Sequence, residues 1–315
     1  MDNIDVTVVV VTHNRAPLLA GALETLVNQE TDGKLSYEVL VIDDGSTDET
    51  AGEVQKIQKK NLAFPVRYIY QEWGGGGSAR ARNTGVENAR GPWIAFFDDD
   101  QLAEPGWLAE LYRVAKENNA SCVEGSLYLR IQESLRRELG PRARAVLGEK
   151  TFPAGASQRA LRKTRGTNNV LIHISVFQKV GKFDNLLERF VDWDFFWRVD
   201  KSGFTFHYAP QAKAQHVIPE YRAKLPHLRE ICTKNGRADA YIHFKYGGAK
   251  LLVLTSLWRI CVSLGRDMPI IVIFGILGHK PLVADGLCAL WYSLGFIRRS
   301  FDILVHNWFY RPSRG

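Results

Sequence analysis

The chain has 315 residues, 45% hydrophobic and 24% charged, which is an ordinary globular composition and excludes a disordered or collagen-like protein. Its length allows one large domain or two smaller ones. With 41 Lys and Arg against 34 Asp and Glu, the net charge of +7 favours an anionic partner: a phosphorylated substrate, nucleic acid or an anionic membrane surface.

The first 110 residues predict alternating strands and helices. The β-branched run Val6–Thr12 has no polar alternation, which is typical of a strand buried on both faces. Further strands are predicted at 37–42, 66–70 and 93–97, and helical patterns follow at 18–27, after the cap at 47–50, and at 79–89. This alternation predicts right-handed βαβ units and a mostly parallel sheet.

Polar side chains follow three of these strands. Thr12 ends the first, Asp43 and Asp44 end the second, and the triplet 98–100, three aspartates, ends the fourth. Ligands of open parallel sheets bind at the carboxyl ends of strands, so we expect one crevice lined by these groups. Hard divalent cations prefer oxygen ligands and commonly bridge carboxylates to phosphates, so the triplet predicts such a site. A solvated acidic turn or a helix cap is the alternative interpretation.

The glycine pattern and the cysteine pattern each argue against particular kinds of binding site. The glycine run 74–77 predicts a flexible loop and lacks the GxGxxG pattern of a dinucleotide site. The four cysteines (122, 232, 261 and 288) form no CxxC pair, so we expect neither a zinc site nor a disulfide framework. Reduced thiols predict a cytosolic protein. The acidic first residues, without a basic segment, predict no signal peptide.

Beyond residue 110 the pattern changes. Residues 129–165 contain ten Lys and Arg against three Glu, and a helical, increasingly apolar region begins near residue 225. Its apolar stretches, at 251–264, 268–278 and 281–297, are shorter or more interrupted than the roughly 20 residues that a spanning helix needs. They predict either a buried helical subdomain or dimer interface, or in-plane attachment to a membrane, for which the aromatic and basic residues at 298–311 are suited.

The motifs together resemble family 2 of the glycosyltransferases over roughly residues 5 to 220. The matching segments are 8–15, 41–48, 81–85, 96–100 with Pro105 and 107–108, 168–169, 180–184, 191–194 with Arg198, and Pro210 followed by His216. The resemblance implies an α/β GT-A fold, a Rossmann-like sheet flanked by helices, in residues 1–220. It further implies a nucleotide-binding half at about 1–110 and an acceptor half at about 111–220. Residues 221–315 lie beyond the resemblance, and their helical pattern predicts a C-terminal region that forms an internal core, a membrane-surface contact or an oligomer contact.

The resemblance also implies a nucleotide-sugar site and a cation. Asp44 would hydrogen-bond the base of the donor, and the whole donor site would comprise Thr12, Arg15, Asp44, Arg80, Arg82, Asn83, Asp98 and Asp99. Arg80 and Arg82 equally fit a solvated helix face. Asp98 and Asp100 match the DxD motif and would hold Mn²⁺ or Mg²⁺ on the donor diphosphate. His216 would be a third metal ligand, a phosphate contact or a structural residue.

The base is implied by a second motif. Asp192 matches the second residue of the family's Glu-Asp motif and would take the proton from the acceptor hydroxyl. The first acid of that motif is Val191 here. Asp194 is the alternative base, and a surface pair of Asp192 with Arg189 or Arg198 is the non-catalytic interpretation. No Gln-x-x-Arg-Trp follows, so we expect a non-processive enzyme.

These expectations describe an inverting, metal-dependent glycosyltransferase. It would move a sugar from a UDP or dTDP donor to a glycan or lipid-linked acceptor, in cell-surface polysaccharide or glycolipid synthesis. A nucleotidyltransferase acting on sugar phosphates and a non-catalytic glycan- or nucleotide-binding relative are the alternatives; we expect no nucleic-acid partner. The expected location is cytoplasmic, extending to the inner face of the cell membrane, and homo-oligomerisation is left open.

Overall fold

The computed structural model describes residues 4–33, 35–60, 62, 64–72, 77–153, 166–187 and 189–309, with side chains up to residue 306. The predicted loop residues 74–76, the basic residues at 159–165 and the aromatic and basic residues at 310–311 lie outside this part. The chain divides into two compact units. The first unit comprises Met1–Tyr128 and Lys150–Val217, and the second comprises Leu129–Glu149 and Ile218–Gly315.

The first unit is built on an eight-stranded sheet with the strand order β3-β2-β1-β4-β7-β6-β8-β5. Its strands are β1 (Val6–Thr12), β2 (Tyr37–Asp43), β3 (Val66–Tyr70), β4 (Trp93–Asp98), β5 (Gln101–Ala103), β6 (Cys122–Arg130), β7 (Val170–His173) and β8 (Phe206–Val217). The helices are α1 (Ala16–Val27), α2 (Thr50–Gln58), α3 (Ser78–Asn88), α4 (Trp107–Glu117), α7 (Ile174–Val180) and α8 (Val191–Lys201).

The first half of this sheet is parallel, which confirms the predicted βαβ units. β1 pairs in parallel with both β2 and β4, and β2 pairs with β3. The register sets Thr12 opposite Asp43 and Val11 opposite Asp98, so three strands end side by side. A close-packed apolar core that includes Leu19, Leu23 and Trp107 supports this half. The carboxyl ends of β1, β2 and β4 therefore form one edge, as the sequence predicted.

The later strands make the sheet mixed. β7 runs antiparallel to β4 and to β6, and β5 runs antiparallel to β8. Burial alternates along much of β8, which is typical of an antiparallel strand with one covered and one solvated face. The prediction of a mostly parallel sheet thus applies to the half that precedes residue 100, where β1, β2 and β4 are buried on both faces.

The second unit is helical. Its helices are α5 (Glu133–Glu138), α6 (Pro141–Val146), α9 (Leu225–Val262), α10 (Met268–Ile276) and α11 (Lys280–Phe309), with a 3₁₀ turn at Glu220–Ala223 and a π-helix at Ser263–Asp267. α9 is kinked at Gly248, whose φ is 65°. Among the helices of the described ranges, none is long and apolar enough to cross a membrane.

Residues 129–149 are placed differently from the prediction, which put them in the acceptor half of the first domain. Their apolar side chains Leu139, Ala143 and Leu147 share a core with Leu228 and Cys288 of the C-terminal helices. The Asp285 carboxylate also accepts a hydrogen bond of 2.8 Å from the backbone N–H of Ala143. Because the segment buries its apolar face against these helices, it belongs with the second unit.

Helices α9 and α11 cross at two glycines, and this contact yields a stability prediction. A Cβ atom built at Gly236 would lie 2.0 Å from the backbone oxygen of Tyr292, and one at Gly295 would lie 2.3 Å from that of Thr233. Backbone cannot yield as a flexible side chain can, so Gly236→Ala is expected to lower the free energy of unfolding by about 1–3 kcal/mol. Chemical denaturation followed by circular dichroism measures this.

Gly275→Ala is the matched control for that variant. Gly275 also lies in a helix of the second unit, but a Cβ there meets no atom within 4 Å. Alanine is expected to raise helix stability by about 0.5–1 kcal/mol at such a position. Equal stability of the two variants would contradict close packing at the crossing.

Candidate active site

The ends of β1 and β2 are joined through Thr12. Its backbone oxygen accepts a hydrogen bond of 2.9 Å from the N–H of Asp44, and its hydroxyl donates one of 2.8 Å to Asp99. Asp43 accepts from the Ser46 N–H at 2.8 Å and from the Tyr68 hydroxyl at 2.6 Å, so it orients the loop that follows β2. The structure therefore brings together the predicted residues Thr12, Asp44 and Asp99.

Asp44 has unused hydrogen-bonding capacity at this edge. Burial raises its pKa, while a backbone hydrogen bond from Gly77 and the charges of His13 and Arg80 oppose that rise. Its Oδ1 atom is buried and has no hydrogen-bond partner in the part of the chain that the structure describes. A buried acceptor without a donor is costly to keep, so this oxygen fits an N–H group of a ligand.

Asp99 is bound by two side chains, one at the end of β1 and one just after it. Its carboxylate accepts hydrogen bonds from Thr12 and, at 2.9 Å, from Arg15, which also reaches Asp100 at 3.3 Å. Burial raises the pKa of Asp99 to about 6, although Arg15 and Thr12 favour its charged form. Arg15 is therefore fixed beside the triplet, with 46% of its side chain exposed.

Asp98 and Asp100 lie with His216 in an acidic cluster. Arg82 is 3.8 Å from the Asp98 carboxylate, and His216 Nε2 is 3.2 Å from that of Asp100. Asp98 keeps 34% of its side chain exposed. Burial raises its pKa, as do the negative charges of Asp100 and Asp192, whereas Arg82 and His216 lower it. Two mutually repelling carboxylates at a partly open position favour the binding of a cation.

The donor atoms of this cluster fit Mn²⁺ or Mg²⁺ only in part. Asp98 and Asp100 supply oxygen ligands of the kind that these ions prefer, and the buried His216 Nδ1 has no partner among the described residues. Across the described ranges, however, no three His, Cys, Asp or Glu side chains converge as a complete ligand set. An ion held here would therefore need further oxygen ligands from a bound phosphate or from water.

Asn83 differs from its predicted role as a donor contact. Its Nδ2 atom donates to the backbone oxygen of Phe183 and to Asn185, and its Oδ1 atom accepts from the Phe183 N–H, each at 2.9 Å. Both ends of the amide are thus used to hold the 183–185 loop. Arg80 and Arg82 lie on the same helix, with Arg80 near Asp44 and Arg82 near Asp98.

The two candidate bases on α8 have different surroundings. Asp192 is partly buried, and its Oδ2 atom accepts a hydrogen bond of 3.3 Å from the Thr167 N–H. Asp194 is fully buried and pairs with Arg198 at 3.0 Å. Arg198, which the sequence offered as a partner for Asp192, also donates to the Val180 and Lys182 backbone oxygens. Asp192 therefore remains the carboxylate of α8 that can meet a substrate.

Sequence reasoning did not identify Lys150 and Gly166 as neighbours of Asp192. Lys150 forms a buried ion pair of 2.6 Å with Glu124. A Cβ atom on Gly166 would lie 3.2 Å from both the Asp192 carboxylate and the Lys150 ammonium group. Lys150 is one of ten basic residues in its segment and carries no distinguishing pattern, so only the fold reveals it.

This close approach gives a prediction for Gly166→Ala. The added methyl group would meet the Asn168 side-chain oxygen at 2.9 Å and the Asp192 carboxylate at 3.2 Å. It is expected to displace both side chains by a few tenths of an ångström and lower kcat by up to about 10²-fold, because geometry at a reacting group is critical. Steady-state kinetics with the preferred donor measures the effect. The control is Gly52→Ala, which adds a methyl group to helix α2, far from Asp192 in the sequence. Gly203→Ala is not a suitable control, because the φ of Gly203 is 78° and alanine would be strained there. Unchanged kcat in Gly166→Ala would contradict the constraint.

Comparison with known proteins agrees with this fold. The family described as "Glycosyl transferase family 2" matches residues 7–186. The chain is 25% identical over 256 residues to the succinoglycan biosynthesis protein ExoM of Rhizobium meliloti, covering 79% of this chain and 77% of ExoM. Alignments to three other curated glycosyltransferases cover 32% to 36% of this chain. The same alignments cover only 23% to 37% of the length of those proteins.

Solved structures share the fold at low sequence identity. The mannosyltransferase PcManGT of Pyrobaculum calidifontis, in complex with GDP-Man and Mn²⁺, has a TM-score of 0.57 and 17% identity, over 93% of this chain and 86% of its own. S. aureus TarS 1–349 with UDP-GlcNAc has a TM-score of 0.55 and 16% identity, over 95% and 92%. The fold is thus the GT-A fold, and the chain belongs to glycosyltransferase family 2.

Proposed function

We propose that this glycosyltransferase is an inverting enzyme that moves a sugar from a nucleotide-diphospho-sugar to an acceptor hydroxyl, with Asp192 as general base. The observation that carries the proposal is geometric. The Thr167 N–H donates a hydrogen bond of 3.3 Å to Asp192 on α8, and two residues later the Asn169 N–H donates one of 3.1 Å to the Phe96 backbone oxygen, two residues before Asp98. This chain of contacts supports a position of Asp192 near the carboxyl end of β4.

The donor nucleotide would bind at the ends of β1 and β2. The unpartnered Oδ1 atom of Asp44 fits a ring N–H of the base, which uracil, thymine and guanine all carry. We propose UDP and dTDP sugars as the donors because the family resemblance favours them. Arg15 and Arg80 would contribute positive charge toward the diphosphate. The neighbours TarS and PcManGT, crystallised with UDP-GlcNAc and GDP-Man, support a nucleotide-sugar donor without identifying which one.

Asp98 and Asp100 would hold Mn²⁺ or Mg²⁺, with His216 as a further ligand or a phosphate contact. The bound ion would supply positive charge against the departing diphosphate. The complex of PcManGT with Mn²⁺ supports this cofactor. Arg82, 3.8 Å from Asp98, adds a fixed positive charge to the same side of the cluster.

The proposed reaction is a single in-line displacement. The acceptor oxygen attacks the anomeric carbon, its proton passes to the Asp192 carboxylate, and the bond from that carbon to the diphosphate oxygen breaks with its electron pair going to the nucleotide. One displacement reverses the anomeric configuration. Because no processive motif follows Asp192, we propose one transfer per acceptor, and the name of ExoM supports a polysaccharide or glycolipid acceptor.

A donor screen tests this proposal. Nucleotide-sugars are added to the full chain with and without Mn²⁺, and the melting temperature is recorded. The true donor is expected to stabilise by about 2.7 kcal/mol at 100 times its Kd, and more strongly with Mn²⁺ than without. With an acceptor present, the released product is expected to be a nucleoside diphosphate. Release of pyrophosphate would instead identify a nucleotidyltransferase, and binding without turnover on any acceptor would identify a non-catalytic relative.

A further inference from the structure

The second unit has an apolar stripe along one continuous helical segment. From residue 251 to 277 the chain passes through the end of α9, the π-helix and α10, and exposed side chains recur every three or four residues. We call this set the apolar stripe: Leu251, Leu254, Trp258, Cys261, Leu264, Met268, Val272 and Ile276. Trp258 is 59% exposed and Ile276 is 82% exposed. Large contiguous apolar surfaces of this kind mark interaction sites.

Two of the three charged residues of the same segment, Arg259 and Asp267, are directed inward, whereas Arg266 is half-exposed. Arg259 pairs with Asp239 at 2.9 Å, and its guanidinium lies 4.4 Å from the centre of the Phe296 ring on α11. Asp267 is buried and pairs with Arg266 at 2.8 Å. A helix that faces water has the opposite arrangement, with apolar residues inward and charges outward. The outer side of this segment is therefore suited to an apolar environment.

The charge of the chain identifies what covers the stripe. The second unit contains 19 Lys and Arg against 9 Asp and Glu, a net charge of +10, whereas the first unit contains 22 against 25, a net charge of −3. Exposed basic residues also flank the stripe, with Lys245 and Lys250 before it and Lys280 after it. A symmetric contact between the second units of two copies would bring like charges together, and the first unit carries only a small negative charge, while an anionic lipid surface has strong complementary charge.

We propose that the apolar stripe lies in the plane of an anionic membrane surface, with its apolar side chains below the lipid headgroups and the flanking basic residues against them. α9 and α10 both pack on α11, so only the outer side of the segment can meet lipid, which fits an in-plane orientation. The proposal rests on the second unit alone and is independent of the proposed reaction.

A thiol label tests the proposal directly. Cys261 is the exposed cysteine on the stripe, whereas Cys122, Cys232 and Cys288 are buried, so an environment-sensitive fluorophore can be attached at Cys261. Vesicles of phosphatidylcholine mixed with phosphatidylglycerol are expected to shift its emission to the blue. A label placed by Leu186→Cys in a Cys261→Ser background, at a site of the first unit that is 90% exposed, is expected to show no shift. No shift at Cys261 would overturn the proposal.

A binding measurement supplies the second readout. Vesicle sedimentation of Leu254→Glu/Trp258→Glu/Ile276→Glu is expected to give a partition coefficient at least about tenfold below wild type. The control Leu186→Glu is expected to bind as wild type does, and a matched circular dichroism melting curve shows that the triple variant is folded. High salt is expected to weaken wild-type binding. The proposal would be overturned if the wild type bound equally well to vesicles of pure phosphatidylcholine. It would also be overturned if the wild type bound no vesicles and instead formed a dimer that the triple substitution converts to monomers.

Discussion

Replacement of Asp192 by asparagine is expected to lower kcat for sugar transfer about 10²- to 10⁴-fold, the usual contribution of a general base. Asparagine has nearly the same size, and its carbonyl oxygen can keep the hydrogen bond of 3.3 Å from the Thr167 N–H. The amide cannot take a proton from the acceptor hydroxyl, so the loss is chemical rather than structural. KM for the donor is expected to change little, and steady-state kinetics at saturating donor separates the two quantities.

Two further aspartates of α8 serve as controls for this variant. Asp200→Asn makes the same replacement of a carboxylate by an amide eight residues later in the chain, and it is expected to keep kcat near the wild-type value. Asp194→Asn is expected to lower the melting temperature, because it leaves the partly buried Arg198 guanidinium without the carboxylate that lies 3.0 Å away. The base would be Asp194 instead if Asp192→Asn kept the wild-type kcat while Asp194→Asn was stably folded but inactive.

The parallel half of the fold could be predicted because its signals are local. Buried β-branched runs mark β1 and β2, and each ends at the residue where polar side chains begin. The triplet itself is less regular, because β4 ends at Asp98 while Asp99 and Asp100 lie in the turn that follows. Thr12 and Arg15 hold Asp99 there, and Arg15 also reaches Asp100.

The features that escaped prediction depend on contacts between distant segments. Asn83 matches a family motif, yet its amide holds a loop 100 residues later in the chain. Residues 129–149 are basic in sequence, but their few apolar side chains fill a core with the C-terminal helices. The sequence shows that residues 251–277 are mostly apolar, but it does not show which side of the helical segment is exposed. The inward pairing of Arg259 with Asp239 reveals that the apolar side faces outward.

The double variant Asp98→Asn/Asp100→Asn is expected to lose the Mn²⁺-dependent rise in melting temperature that a nucleoside diphosphate gives the wild type. Amides retain oxygen ligands but remove two negative charges, and carboxylates are the ligands that hold these ions beside phosphates. At 100 times the Kd the wild-type gain is about 2.7 kcal/mol, which is readily measured. Because the charge on the leaving diphosphate is then opposed less, kcat is expected to fall as well.

Asp99→Asn separates a metal effect from general damage to the triplet. The asparagine oxygen can still accept from Arg15, and the Asp98 and Asp100 carboxylates remain in place. Because Asp99 faces Thr12 and Arg15, this variant is expected to keep the dependence on Mn²⁺ even if its donor affinity changes. If Asp99→Asn abolished that dependence while the double variant retained it, the ion would be bound on the Thr12 side of the triplet.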